Sequence, residues 1–462
     1  MNFVTQLKND DPGSAQTQSR ALHDRVISQI AERTFTVGVI GLGYVGLPLI
    51  RAFWKKDFPV IGFDIDPEKI AALNAGKSYI QHFPDTDVAE FCGSDRFATT
   101  VDLSRVGEVD AIIICVPTPL TKNREPDTSY IVKTVEAILP HLRAGQLIVL
   151  ESTTYPGTTR DIVRPALEKS TLKVGEDLFL AFSPEREDPG NADFQMVMIP
   201  KIVGADDAAS GNVATTLYAS IVKSVFPVSS TATAEAVKLS ENIFRSVNIA
   251  LVNELKIIYD RMGIDVWEVT EAAKTKPFGY MPFYPGPGLG GHCIPVDPYY
   301  LNWKAREYSI SSRFIELAGE INNTMPDYVT TRLAQELDKR FAKGLNGAHI
   351  LILGVAYKKN IGDIRKSPAL AIINLLKERK TQVAYYDPYV PVIPLTCEHA
   401  KLVGMESVAL SHKEIAAYDA VLIATDHECI DYGKVVEWSQ LVVDTRNATK
   451  KVVANRERIV KG

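Results

Sequence analysis

The chain alternates short runs of apolar β-forming residues with longer amphipathic stretches. Thr36–Ile40, Val60–Asp64, Asp110–Val116, Leu147–Leu150 and Phe179–Phe182 are such runs in the first half. His349–Gly354, Val383–Asp387, Ala420–Ala424 and Leu441–Asp444 repeat them towards the C-terminus. Continuous apolar runs, as opposed to alternating ones, predict strands buried on both faces of a parallel sheet. Between the two sets, Thr231 to Gly263 reads as one helix. Val237, Phe244, Val247, Leu251, Leu255 and Ile258 recur there at helical spacings, and Gly263 supplies a stop. At about 1.5 Å per residue the helix is about 48 Å long, enough to span two lobes and carry a subunit interface. The pattern predicts an α/β protein with two Rossmann-like, doubly wound parallel-sheet domains joined by a long central helix.

The length of 462 residues allows roughly three domains of about 150 residues each. The expected layout is an N-terminal tail over 1–34, mobile or weakly docked through about Arg20, and a first Rossmann domain over 35–228. A central helical region over 229–330 and a second Rossmann-like domain over 331–462 follow. With a formal net charge of −5 and no long basic run, nothing suggests a nucleic-acid footprint. The cysteines (Cys92, Cys115, Cys293, Cys397 and Cys429) are scattered, with no C-x-x-C pair. That argues against a disulfide framework and a structural zinc site, so no metal is expected, and it fits a reducing cytoplasm. Residues 1–34 lack the apolar core of a signal peptide. No run approaches the roughly 18 apolar residues of a membrane span.

The first apolar run leads directly into Gly41, Leu42, Gly43, Tyr44, Val45 and Gly46. A plausible helix follows, with Pro48 in its first turn. The next run ends at Asp64, near the position expected of a ribose-binding acid. Gly41 makes the tight turn, Gly43 admits a pyrophosphate and Gly46 lets helix and strand pack, with the phosphates on free N–H groups at the helix N-terminus. Strand, glycine fingerprint, helix and spaced acid together predict a dinucleotide site, and the acid favours NAD over NADP. Ligands of such sheets bind beyond the carboxyl ends of the strands. Thr118, Ser152 and Thr153 are therefore candidates to line the crevice, or else satisfied turn hydroxyls. Glu185 also falls just past a strand end, whereas Cys115 sits inside a run and reads as core packing.

Two further features carry candidate chemistry. Residues 285–298 place Cys293 between a glycine-rich run and Asp297. A thiol on a loop stiffened by prolines, with a carboxylate four positions on, is either a nucleophile with a base nearby or a tight turn carrying a small apolar residue. On the long helix, Lys238 and Asn242 share one face, beside the apolar stripe. They form either a solvated polar face or a cation and an amide aimed at one oxygen.

These motifs, with Val116–Pro119, Ser183–Arg186 and Asp363–Pro368, resemble the nucleotide-sugar 6-dehydrogenases, the UDP-glucose/GDP-mannose dehydrogenase family, over about residues 35–447. The closest resemblance is to the branch acting on UDP-2-acetamido sugars, the bacterial UDP-N-acetylglucosamine 6-dehydrogenases of polysaccharide pathways. UDP-glucose enzymes commonly carry a lysine where this chain has Val296, and a serine or tyrosine where it has His292. The resemblance implies that Cys293 captures the sugar aldehyde as a thiohemiacetal, which is then oxidised to a thioester. Lys238 and Asn242 would stabilise the oxyanions and Asp297 would activate water, with Thr153 and Glu185 assisting. It implies cofactor contacts from residues 41–46, Asp64, Pro117, Thr118, Thr153 and Arg365. It implies substrate contacts from Glu185, Lys238, Asn242, Phe283, Tyr284, Gly286, Gly290 and Lys358. The expected function is NAD-dependent four-electron oxidation of UDP-N-acetylglucosamine by a homodimer, without nucleic-acid or membrane partners. The epimeric acetamido sugars and UDP-glucose stay open as substrates. A two-electron 3-hydroxyacid-type dehydrogenase and a catalytically dead NAD-binding scaffold are the competing readings.

Overall fold

A computed structural model describes residues 12–80, 83–121, 123–187, 196–291, 294–396 and 398–462. The chain forms two compact units, residues 1–240 and 241–462.

The first unit is built on eight strands: β1 (Val37–Ile40), β2 (Val60–Phe63), β3 (Phe97–Thr100), β4 (Ala111–Ile114), β5 (Leu147–Leu150), β6 (Phe179–Phe182), β7 (Lys201–Ala205) and β8 (Val225–Val228). Their order is β3-β2-β1-β4-β5-β6-β7-β8, parallel except between β6 and β7. Val37 and Val39 of β1 join one core layer with Ala111 and Ile113 of β4, while Ile40, Ile112 and Ile114 join the layer on the opposite face. Every residue of these strands is buried, which is why they read as continuous apolar runs. The order reverses between β1 and β4, so the carboxyl ends of those two strands open the crevice in which such sheets bind ligands.

The sequence reading did not identify β3, β7 or β8. β3 is an edge strand whose residues are all half-buried. β8 is the other edge, with Phe226 exposed and Pro227 in its middle, a position a paired central strand would not tolerate. β7 opens on a buried lysine, which breaks the apolar pattern.

Residues 1–11 of the expected tail lie outside the described residues, and Pro12–Glu32 form a helix. Val26 and Ile30 are buried in the same core layer as Val213, Leu217 and Tyr218 of the helix Ala208–Ala219. His23 Nε2 lies 3.2 Å from Asn212 Oδ1, and Ser19 Oγ donates to Glu176 O at 3.3 Å. The helical spacing of Leu22, Val26 and Ile30 is the sequence signal for this docking.

The second unit has a five-stranded parallel sheet in the order β10-β9-β11-β12-β13. Its strands are β9 (His349–Leu353), β10 (Gln382–Tyr386), β11 (Ala420–Ile423), β12 (Val442–Asp444) and β13 (Ile459–Lys461). It repeats the strand–loop–helix start of the first unit, again with an acid after its second strand. Asp387, at the end of β10, accepts backbone N–H bonds from Val355, Ala356, Tyr389 and Val390. The Nε2 of buried His427 lies 3.1 Å from the same carboxylate, and its Nδ1 accepts from Asn360 N at 3.0 Å, which puts the ring proton on Nε2. Both oxygens of Asp387 are therefore engaged inside the protein, in keeping with a second unit that lacks the full glycine fingerprint.

The central helix spans Thr231–Met262 and stops at Gly263, which adopts a φ of 73°. Its apolar stripe is divided: Val237, Val247 and Leu255 are half-buried, and the rest faces outwards. Phe244, Leu251 and Ile258 are 48%, 52% and 45% exposed, whereas Lys238 and Asn242 are 7% and 5% exposed. Glu235, Ser246, Asn253 and Lys256 are buried as well.

Candidate active site

In the first unit the glycine fingerprint forms the turn between β1 and the helix Gly46–Trp54. A Cβ on Gly41 would sit 2.5 Å from Cys115 O, and one on Gly46 would sit 2.0 Å from Gly41 O. Those two glycines are required by the protein's own backbone. Gly43 differs, because among the described residues nothing lies within 4 Å of the place its Cβ would take. That space fits the phosphates of a dinucleotide, at the head of a helix. Leu42 is buried, Tyr44 and Val45 are half-buried, and Val45 precedes the first helical turn.

Asp64 follows β2 and reaches back to the turn. Its Oδ2 accepts from Leu42 N at 2.9 Å and pairs with Lys69 Nζ at 3.0 Å, while Oδ1 accepts from Asp66 N at 3.0 Å. Tyr79 donates its hydroxyl to Leu42 O at 2.5 Å. Burial, and then the charges of Asp64 and Asp66, push the Tyr79 phenol up and keep it a donor. Sequence reading missed Lys69 and Tyr79, because neither stands in the fingerprint itself.

The loops after β4 and β5 are tied together. Thr118 Oγ1 donates to Thr153 O at 2.7 Å, and Ser152 Oγ donates to Val116 O at 2.8 Å. Pro117 is exposed beside them. Past β6, Glu185 Oε1 accepts the backbone N–H of Arg186 and of Glu187. Lys238 Nζ donates to the carbonyl oxygen of Glu185 at 2.5 Å. Three residues before Lys238 on the same helix, Glu235 accepts from Gly157 N, Thr159 N and Thr159 Oγ1, fixing the segment that follows Thr153. Burial pushes the Glu235 carboxyl up to about 7, against those three donors.

In the second unit, Asn242 Nδ2 donates to Asp297 Oδ2 at 2.5 Å. Asp297 is buried and opens the helix Asp297–Glu307, where the helix dipole favours its negative charge. Lys238 and Asn242 thus share one helix face as expected, yet each already donates to a different protein oxygen. His292 and Cys293 lie outside the described residues.

The glycine-rich approach to Cys293 is clasped by the unit that contains it. A Cβ on Gly290 would sit 2.5 Å from Tyr357 Cβ, and one on Gly286 would sit 2.4 Å from Arg446 Nη1. Gly291 N donates to Arg365 O at 2.9 Å. The loop carrying half-buried Lys358 and exposed Arg365 is therefore packed against the cysteine loop. The Arg365 guanidinium pairs with Asp363 at 2.6 Å.

Phe283 meets Phe244 edge-on at a centroid distance of 5.7 Å. Tyr284 stacks on Trp267 at 5.4 Å and donates to Glu271 Oε1 at 2.6 Å, a bond that pushes its phenol up to about 12. Half-buried Arg446 donates Nε to Ala424 O at 3.1 Å. Trp267 and Arg446 were not singled out from the sequence, since a lone tryptophan and a lone arginine carry no spacing signal.

Three sequence models of the UDP-glucose/GDP-mannose dehydrogenase family match the chain in order. The NAD binding domain matches residues 35–222, the central domain 232–324 and the UDP binding domain 351–451. A UDP-N-acetyl-D-glucosamine 6-dehydrogenase of Pseudomonas aeruginosa is 38% identical over 394 residues, 85% of this chain and 90% of that protein. An NDP-N-acetyl-D-galactosaminuronic acid dehydrogenase of Ralstonia nicotianae is 35% identical, over 91% of this chain and 98% of that protein. The solved structure of a UDP-D-ManNAc dehydrogenase from Pyrococcus horikoshii superposes with a TM-score of 0.81 at 33% identity, covering 90% of this chain and 96% of that one.

Proposed function

The chain belongs to the UDP-glucose/GDP-mannose dehydrogenase family of NAD-dependent UDP-sugar dehydrogenases, and on that premise we propose that it oxidises the C6 alcohol of UDP-N-acetylglucosamine to the uronic acid. The observation that carries this reading is the set of Lys238, Asn242, Cys293 and Asp297, beyond what a two-electron alcohol dehydrogenase requires. NAD, when bound, accepts the hydride in each of two oxidations.

Cys293 adds to the C6 aldehyde left by the first oxidation, forming a thiohemiacetal. Loss of a second hydride from that carbon gives a thioester, and water releases the acid. Lys238 and Asn242 stabilise the oxyanions that develop on the C6 oxygen. Asp297, held by Asn242, takes the proton of the attacking water, and Thr153 and Glu185 order that water. Phe283, Tyr284, Gly286, Gly290 and Lys358 hold the UDP-sugar, and Arg365 serves the cofactor. His292 and Val296, together with the P. aeruginosa relative, favour an acetamido sugar, and among those sugars UDP-N-acetylglucosamine.

We further propose a homodimer, formed on the exposed face of the central helix, acting in the cytoplasm on surface-polysaccharide precursors. No helix among the described residues is long and apolar enough to cross a membrane.

The test is a panel of UDP-sugars, with and without the acetamido group and in each epimeric form, followed by NADH absorbance. Two NADH per UDP-N-acetylglucosamine, and preference for it over its epimers, supports the reading. One NADH per sugar rejects the four-electron route, and preference for an epimer reassigns the substrate.

A further inference from the structure

The buried region between β5, β7 and the helix Ala208–Ala219 holds more charge than the proposed reaction uses. Lys201, at the head of β7, has a side chain only 5% exposed, and its Nζ lies 2.8 Å from Glu151 Oε2 and 3.7 Å from Glu185 Oε2. Tyr218 donates its hydroxyl to the other oxygen of Glu151, and its ring lies 5.2 Å from the Lys201 ammonium. Two carboxylates thus share one cation. Glu151 is fully partnered. Glu185 is not: its Oε2 is buried and, among the described residues, has no hydrogen-bond partner.

A buried carboxylate oxygen without a donor is costly unless an opposite charge compensates it. Lys238 faces Glu185 from the central helix, but it donates to the backbone carbonyl of that residue. Among the described residues, the other titratable groups near this cluster are Cys115 beyond β4, and Arg186 and Glu187 on the same loop as Glu185. Burial works against the Lys201 ammonium, and the charges of Glu151 and then Glu185 outweigh it, so its pKa stands above the ordinary lysine value. Burial raises the Cys115 thiol, which leaves that group neutral.

We propose that Lys201 is a positioning residue for the oxidation: anchored from behind by Glu151 and Tyr218, its ammonium holds the carboxylate of Glu185 in place. This rests on the role given to Glu185 above. Without Lys201, two carboxylates would face each other and one of them would take up a proton.

The test is steady-state kinetics of the full-length enzyme with UDP-N-acetylglucosamine and NAD across pH, for wild type, Lys201→Met, Lys201→Arg, Glu185→Gln and the double variant Glu151→Gln/Lys201→Met. The double variant removes both members of the closest pair, so Glu151 is not left as a lone buried charge, and only Glu185, whose Oε1 keeps its two backbone donors, loses its cation. In Lys201→Met, kcat should fall about tenfold or more, KM should change by less than about threefold, and the acidic limb of the kcat profile should move up by about one pH unit. Lys201→Arg should recover most of kcat and the wild-type limb, and the double variant should keep the kcat loss. An unchanged kcat and limb in Lys201→Met, or in the double variant if the single one does not fold, overturns the proposal. A kcat loss with an unmoved limb and no recovery by arginine marks a purely structural lysine and overturns it as well. Wild-type behaviour of Glu185→Gln rejects the role of Glu185, and the inference falls with it, by a distinguishable result.

Discussion

Asn242 donates its side-chain amide to Asp297 at 2.5 Å, and both groups are buried. The bond fixes one carboxylate oxygen and, with it, the direction in which the other faces. If Asp297 takes the proton of the hydrolytic water, Asp297→Asn should stop the cycle at the thioester. A stopped-flow trace should then show a burst of about two NADH per site, with steady turnover reduced about 100-fold or more. A linear trace at the wild-type rate contradicts the assignment.

Cys293→Ala should abolish acid formation while NAD affinity stays near the wild-type value. Product analysis together with a cofactor titration checks both halves. Wild-type acid production by this variant rejects the thioester route.

Gly43 and Gly46 should answer differently to the same methyl group. Gly46→Ala forces a Cβ to within 2.0 Å of a backbone oxygen and should destabilise the fold, by about 1–3 kcal/mol. Gly43→Ala meets no described protein atom, so its melting temperature should match wild type. Its NAD dissociation constant should nevertheless rise about tenfold or more. Equal effects of the two changes on melting temperature would contradict this division.

Glu235 gives stability a pH dependence. Its carboxyl titrates near 4.5 when unfolded and at about 7 when folded. Between those values only the folded state holds the proton, so this contribution is complete at low pH and is lost as pH rises to about 7, by up to about 3 kcal/mol. Urea midpoints of wild type and Glu235→Gln should therefore diverge across that window, wild type losing ground as pH rises. A constant difference throughout refutes the shift.

Leu251 lies in the middle of the exposed apolar face of the central helix, between Phe244 and Ile258. Leu251→Asp should convert the proposed dimer to a monomer by light scattering. A wild-type protein that is already monomeric at working concentration contradicts the dimer itself.

Much of the fold could be read from the sequence because its determinants are local. The buried strands, the Gly41–Gly46 turn and the spaced Asp64 each follow from neighbours a few residues away, and so does the Thr231–Met262 helix. What periodicity could not supply is the partner of a face. It grouped Phe244, Leu251 and Ile258 correctly, but whether that stripe meets its own chain or solvent depends on the tertiary structure. The same limit hid Lys201, because a lysine in a strand reads as a boundary until Glu151, fifty positions earlier, is folded against it. The N-terminal helix was missed for a different reason: Leu22, Val26 and Ile30 did carry the spacing, inside a stretch otherwise too polar to suggest a core.

The NAD binding domain of the family matches residues 35–222, which hold Gly43, and the proposed reaction draws on that station for the redox cofactor. In the proposed four-electron oxidation the electrons would leave in two visits, with spent NADH departing before fresh NAD arrives. During that exchange the half-finished sugar would be free to escape as a reactive aldehyde, unless something keeps hold of it. The proposed covalent tether to Cys293 would make the chemistry independent of how long the exchange takes.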